Sequence, residues 1–405
     1  MQWTDVLATR NSRMKASEIR ELLKLLDQPD IISFAGGIPD PALFPTAAFS
    51  KAFETAMTPE HAASALQYSV SEGYKPLREW IAGEMGKIGV PCDADNIFIT
   101  SGSQQALDYL GKLLISPGDT ALVTAPTYLG ALGAFNAYEP RYARLDAFSN
   151  ETPEAAQAEA AEASDGKGRV KFAYLSADFA NPTGETLSLE GRKALLARAD
   201  AMNIAVIEDA AYQSLRFDGE AIPPLQALDI EAKGGIENSR VIYCGSFSKT
   251  LAPGLRVGWV CAAKDVIGRL VLMKQAADLH SPTLSQMATN FVAREIFDEH
   301  VAKIRAIYSS RRDAMLAALA REMPEGVTFT RPEGGMFVWV TIDPKLDAAE
   351  VLARAVADYR IAFVPGGAFY ADGSRRNDMR LSYSCATNEQ IDEGITRLGR
   401  LLRSF

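Results

Sequence analysis

The chain has 405 residues, 47% apolar and 23% charged, with a net charge of -9, the make-up of an ordinary globular protein long enough for two domains. The acidic balance argues against nucleic acid as a partner, because phosphate backbones need basic faces, and no stretch nears the ~20 apolar residues of a membrane span. The four cysteines are scattered without a C-x-x-C and the three histidines stand apart, which argues against a metal site or a Ser-His-Asp hydrolase and suits reduced thiols in a cytoplasmic protein. Residues 1–15 mix charge and polarity without an apolar core run, so no signal peptide is expected.

Residues 15–28 read as a helix. Ser17 is a candidate cap, and Ile19, Leu22, Leu23 and Leu26 form one apolar stripe with Arg20 at its rim. The bend S-F-A-G-G-I-P-D at 33–40 carries Gly36 and Gly37, which turn the chain or let backbone approach a ligand closely. Gln67-Tyr68-Ser69 and Gly73-Tyr74 precede a helix at 75–87. A strand at 96–100 runs through Ser101-Gly102-Ser103-Gln104-Gln105 into a helix with Leu107, Leu110, Leu113 and Leu114 on one side. Strand, Gly/Ser turn and helix start leave unpaired amides that can bind an anion, or form a plain cap at Ser103.

Strands at 120–124, 170–175, 204–207, 241–244 and 257–261 follow, with helices between several of them, such as 189–202. Residues 154–162 are Ala/Glu-rich and read as an exposed helix. This alternation predicts a mainly parallel sheet covered on both faces, with ligands beyond the carboxyl ends of its strands. Tyr128, the turn N-P-T-G at 181–184, Asp209 with Tyr212, and the loop around Lys249 all fall at such ends. Residues 284–323 have a helical pattern expected to divide into more than one helix and to bridge to a second domain. There, strands at 327–330, 336–341 and 379–383 and helices at 348–358 and 388–402 predict a smaller α+β unit.

The sequence G-S-F-S-K-T-L-A-P-G-L-R at 245–256 puts Lys249 on a tight polar loop, with Ser246 and Ser248 before it and Arg256 after it. Those hydroxyls and that guanidinium suit a compact dianion and leave the amine free to attack a carbonyl. Pyridoxal 5'-phosphate supplies both groups. A nucleotide P-loop is rejected, because Ser248 stands where that loop needs glycine; a plain surface lysine is the competing reading. Asp209 ends an apolar strand, where a carboxylate must meet a cation: a protonated ring nitrogen or a strand-end salt bridge. Asn181 and Tyr212 suit a phenolate oxygen, and Tyr128 suits stacking on a ring or a place in the core. Ser103, Gln104, Ser246, Ser248 and Arg256 can give a phosphate its donors and positive charge.

A-N-P-T-G at 180–184, E-D-A-A-Y at 208–212 and G-S-F-S-K-T-L-A-P-G-L-R-V-G-W at 245–259 resemble the class I/II pyridoxal-phosphate-dependent aminotransferases of fold type I. S-F-A-G-G-I-P-D…F-P, L-Q-Y and T-S-G-S-Q-Q-A-L-D are similar to the branch with 2-aminoadipate and kynurenine aminotransferases, and the resemblance runs from about Arg20 to the C-terminus. We expect an N-terminal helix and segment over 1–47, a large cofactor-binding domain over 48–296 and a small domain over 297–405. The resemblance implies exchange of an amino group between an L-amino acid (2-aminoadipate, glutamate, aromatic or branched-chain) and a 2-oxo acid such as 2-oxoglutarate. It also implies that Lys249 bonds the cofactor and carries the proton, Asp209 pairs with the ring nitrogen, Asn181 and Tyr212 bind the phenolate oxygen, and Tyr128 stacks on the ring. Ser103, Gln104, Ser246, Ser248 and Arg256 then hold the phosphate, joined by Tyr68 of a neighbouring subunit, so a homodimer with sites at its interface is expected. Arg380 matches the arginine that grips the substrate α-carboxylate, with Gly37 and Asn181 beside it.

Arg20 matches an arginine on a helix covering the active site, able to meet a substrate's distal carboxylate; a surface ion pair is the alternative. The same fold serves C–S lyases, decarboxylases and the sensor domains of transcription regulators. Some thirty residues precede the Gly36-Gly37 turn, too few for a ~60-residue DNA-binding domain, so an enzyme is the expectation.

Overall fold

The computed structural model describes residues 2–14 and 30–405, so the helix expected at 15–28, with Arg20, lies outside the described residues. The chain order begins with β1 (Ile32–Ser33), α1 (Thr46–Ala56), α2 (Ala62–Leu66), α3 (Lys75–Lys87), β2 (Ile97–Thr100) and α4 (Ser103–Leu114). There follow β3 (Thr120–Val123), α5 (Leu129–Asn136), β4 (Arg141–Arg144), α6 (Pro153–Glu162), β5 (Val170–Leu175) and α7 (Leu189–Met202). Next are β6 (Ala205–Asp209), α8 (Leu225–Lys233), β7 (Val241–Ser246), β8 (Gly258–Cys261), α9 (Lys264–Gln275) and α10 (Thr283–Glu322). The last part holds β9 (Thr328–Phe329), β10 (Phe337–Thr341), α11 (Ala348–Tyr359), β11 (Ile361–Ala362), β12 (Val364–Pro365), β13 (Asp378–Ser382) and α12 (Asn388–Leu402).

Seven strands form one sheet in the order β2-β8-β7-β6-β5-β3-β4. Only β8 runs against its neighbours; the pairs among β7, β6, β5, β3 and β4 are parallel. Alternate side chains of each strand point to opposite faces. Phe98, Ile242 and Cys244 pack with Leu107 and Leu110 of α4, Ala131 of α5 and Leu270 of α9. Ile97, Ile99 and Tyr243 pack on the other face with Leu77 and Ile81 of α3 and Ala288 and Val292 of α10. With both faces covered, the strand ends are the open places, as parallel sheets require.

Local signals set the helix ends. Ser188 caps α7 by accepting from the Gly191 amide at 3.1 Å, and Asn203 ends it in the left-handed region (φ 53°). Thr387 and Gln390 form a reciprocal capping box at the start of α12.

Where more than one helix was expected over 284–323, a single one forms, α10, ending at Glu322. It contains neither proline nor glycine to interrupt it. Its buried face changes core along its length instead. Met287 packs with Ala56 and Ala65, and Ala288 and Val292 with the large sheet; Ile304, Tyr308, Met315 and Leu319 join the core of the second, antiparallel sheet β12-β13-β10-β9. The N-terminal segment belongs with that second core: β1 pairs in parallel with β11, and the Phe34 carbonyl accepts from the Ser382 amide at 2.8 Å. Among the described residues no helix is long and apolar enough to cross a membrane.

Candidate active site

At the carboxyl ends of β3, β5, β6 and β7 lies a cavity of about 530 Å³. The β7–β8 hairpin loop supplies Lys249, whose Nζ donates to the Gly37 carbonyl at 2.8 Å and lies 5.8 Å from the centre of the Tyr212 ring. The turn after β5 supplies Asn181, whose Nδ2 reaches the Tyr212 hydroxyl at 3.3 Å. Asp209, the last residue of β6, is 4% exposed; its Oδ2 accepts from the Tyr174 hydroxyl at 2.8 Å, and its Oδ1 is buried without a partner. From the second sheet, Arg380 on β13 donates through Nη1 to Asn181 Oδ1 at 2.9 Å and through Nη2 to the Ala35 carbonyl at 3.0 Å. It is 2% exposed, with its guanidinium 4.4 Å from the Phe337 ring centre and its Nε unpartnered.

The other end of the cavity is built of donors. Ser103 and Gln104 open α4, where backbone N–H groups have no helical partner. Ser246 Oγ donates to Ser248 Oγ at 2.8 Å, and Arg256 Nη2 donates to the Ser101 carbonyl at 3.2 Å. Glycines make that approach possible. Gly102 has φ +80°, and a Cβ there would stand 2.3 Å from Arg256 Nη2; one on Gly258 would stand 2.7 Å from the Ser103 nitrogen. Behind the turn, Gln105 Oε1 accepts from the Ser101 amide at 2.8 Å and from Lys274 Nζ at 2.9 Å, while Gln105 Nε2 donates to Asp278 at 2.8 Å.

Burial dominates the electrostatics. It pushes the Asp209 carboxyl up to about 6, against the lowering effect of the Tyr174 hydrogen bond. It lowers the Lys249 amine to about 8, helped by the nearby positive charges of Arg380 and Arg256, and lowers Arg380 to about 10. Tyr128 is pushed up to about 12, so its hydroxyl stays protonated. A cluster of donors at one end, an unpaired carboxylate oxygen at the other and a partly neutral amine between them fit pyridoxal phosphate, which is anionic at its phosphate and cationic at a protonated ring nitrogen.

The cavity brings together Gly37, Ser103, Gln104, Tyr128, Asn181, Asp209, Tyr212, Ser246, Ser248, Lys249, Arg256 and Arg380. It does not include Tyr68, which is 79% exposed and turned edge-on to His280 at 6.1 Å. Arg20 lies outside the described residues. Tyr174, Gln105, Lys274 and Asp278 were not singled out by their sequence. Tyr174 shares one face of β5 with Phe172, and nothing in an apolar strand separates a carboxylate's partner from a core aromatic.

The family model described as aminotransferase class I and II matches residues 37–398. The chain is 42% identical over 393 residues to aromatic-amino-acid aminotransferase 1 of Thermococcus litoralis, covering 96% of this chain and 92% of the relative. It is 42% identical over 405 residues to 2-aminoadipate transaminase of Thermus thermophilus, covering 100% and 98%. It shares the fold of the crystal structure of α-aminoadipate aminotransferase from Thermus thermophilus, complexed with N-(5'-phosphopyridoxyl)-L-leucine: the TM-score is 0.87 at 41% identity over 100% of this chain and 99% of that one. The fold is type I and the cofactor is pyridoxal 5'-phosphate. A match over this length, at this identity, makes the chain a member of the class I and II aminotransferases.

Proposed function

We propose that this enzyme moves amino groups between L-amino acids and 2-oxo acids such as 2-oxoglutarate, accepting 2-aminoadipate, glutamate, and aromatic or branched-chain amino acids. The observation that carries the reading is the polarity of one cavity: unpaired Asp209 Oδ1 at one end, the donors of Ser103, Gln104, Ser246, Ser248 and Arg256 at the other, with Lys249 and Arg380 lining it. The range of donors is supported by relatives named for 2-aminoadipate and for aromatic amino acids.

Pyridoxal phosphate, when bound, supplies an aldehyde carbon to carry the amino group and an electron-poor ring that acidifies the substrate's Cα–H. Ser103, Gln104, Ser246, Ser248 and Arg256 would hold its phosphate, Asp209 its ring nitrogen, Asn181 and Tyr212 its phenolate oxygen, and Tyr128 its ring face. Lys249 Nζ would hold the cofactor at its aldehyde carbon and, when free, would take up and return the proton at the substrate Cα. A lysine lowered to about 8 has a useful neutral fraction for that work near neutral pH. Arg380 presents a planar fork to the α-carboxylate common to all amino acids, and Gly37 keeps the wall bare, since a Cβ there would stand 3.3 Å from Arg380 Nη2.

The proposal includes a homodimer in which Tyr68 reaches the partner's cofactor phosphate. The exposed run of Leu66, Tyr68 and Val70 supports it, as large apolar side chains in a patch mark contact surfaces. The division into 1–47, 48–296 and 297–405 is part of the same proposal, with α10 running through its second boundary. Four free thiols support a cytoplasmic place.

The test is borohydride reduction of the holoenzyme followed by peptide mapping, with Lys249→Ala assayed alongside. Cofactor should be fixed to the Lys249 peptide, and the variant should lose transamination almost wholly. A label on another lysine, or substantial turnover by the variant, refutes the reading.

A further inference from the structure

Asp209 has two oxygens in two different situations. Oδ1 is buried and has no partner, on the residue that lines the cavity. Oδ2 accepts from the Tyr174 hydroxyl at 2.8 Å. Tyr174 belongs to β5, the parallel neighbour of β6, and is 1% exposed; its ring packs edge-on against Phe135 at 5.6 Å. The hydroxyl is therefore pinned by packing from one strand while the carboxylate is pinned by the next. We propose that Tyr174 is the positioning residue of this aminotransferase: it holds Asp209 ionised and oriented, so that the proton stays on the cofactor's ring nitrogen. This rests on the role of Asp209 proposed above.

Several groups face Asp209, and few of them can offset its burial. Besides Tyr174 these are the Ala211 amide, Lys249 beyond β7, Tyr128 at the start of α5, Tyr212, and the Cys244 thiol on β7. Cys244, Tyr128 and Tyr212 are all pushed up by burial and stay neutral. Lys249 is the one cation in this group, and its amine is the group that bonds the cofactor, so it cannot also be relied on as a counter-charge. That leaves Tyr174 and one backbone amide to offset the burial that raises Asp209.

A donor on Oδ2 weakens the carboxylate as a base. In the pair formed with the ring nitrogen, a weaker base leaves the proton on nitrogen, which is the electron-withdrawing form. Tyr174 is suited to this because burial raises it well above its ordinary value, so it remains a donor across the working range.

Tyr174→Phe keeps the ring against Phe135 and removes only the hydroxyl. Apoenzyme of wild type, Tyr174→Phe and Asp209→Asn should each be titrated, by cofactor absorbance, with pyridoxal phosphate and with its 1-deaza analogue, in which carbon replaces the ring nitrogen. Hydrogen bonds to a charged group predict that Tyr174→Phe binds pyridoxal phosphate roughly 10- to 150-fold more weakly. The deaza analogue has no proton to share, so its affinity should change by less than about threefold. In turnover, kcat should fall while KM for the amino donor holds, and the acid limb of the kcat profile should move to higher pH. Equal losses for both cofactors, or no loss for pyridoxal phosphate, would mean that Tyr174 only packs. If Asp209→Asn itself bound pyridoxal phosphate and turned over like wild type, the role of Asp209 would fall instead.

Discussion

Arg380→Lys separates substrate recognition from cofactor binding. The Arg380 guanidinium places one nitrogen on Asn181 Oδ1 at 2.9 Å and another on the Ala35 carbonyl at 3.0 Å, with its Nε left over. Lysine keeps the charge but offers a single ammonium in place of the planar fork. A hydrogen bond to a charged partner contributes about 1.5–3 kcal/mol, so losing one contact to the α-carboxylate should lower kcat/KM roughly 10- to 150-fold. A second cost is structural: the buried Ala35 carbonyl loses its donor, about 1–3 kcal/mol of stability, and the contact over Phe337 weakens. Steady-state rates with 2-aminoadipate, leucine and phenylalanine at saturating 2-oxoglutarate, beside a thermal melt, measure both. Because every amino acid carries the α-carboxylate, the three kcat/KM values should fall by the same factor and pyridoxal phosphate affinity by less than about tenfold. A loss confined to one donor, or one matched by an equal loss of cofactor affinity, would refute this placement of Arg380.

Four more outcomes are open to measurement. Since only the neutral amine of Lys249 can bond the cofactor, the rate of apoenzyme reconstitution should rise with pH, reach half its maximum near 8, where its lowered value lies, and level off about a unit above that; a flat profile would contradict it. The same shift means that the unfolded chain holds the extra proton between about 8 and 10.5, so this group's contribution to apoenzyme stability rises with pH across that window. Gly102→Ala forces a side chain into φ +80° and against Arg256, and should weaken pyridoxal phosphate at least about tenfold by equilibrium dialysis; unchanged affinity would remove Gly102 from the phosphate cradle. Arg20→Ala should lower kcat/KM for glutamate and 2-aminoadipate roughly 10- to 150-fold and leave leucine and phenylalanine nearly unchanged. Equal losses across all four would make Arg20 structural.

Much of the architecture was legible in the sequence because it rests on local rules. Each buried parallel strand is a short apolar run, so 170–175 reads as the strand that β5 forms, and 241–244 needs only two more residues to become β7. The loop around Lys249 stood out because a lysine flanked by serines and an arginine between two strands has few chemical uses. What stayed hidden depends on neighbours distant in the chain. β4 is polar and largely exposed at the sheet edge, so Arg141–Arg144 has no apolar run to betray it. β1 exists only by pairing with Ile361 and Ala362, which no local propensity encodes. The unbroken α10 follows from two cores meeting one helix in succession, a fact about packing and not about its periodicity. Tyr174 and Asp209 are 35 residues apart; the carboxylate at a strand end marks Asp209, but Tyr174 reads as an ordinary strand residue, and only the parallel register of β5 and β6 sets its hydroxyl against one carboxylate oxygen and leaves the other for a ligand.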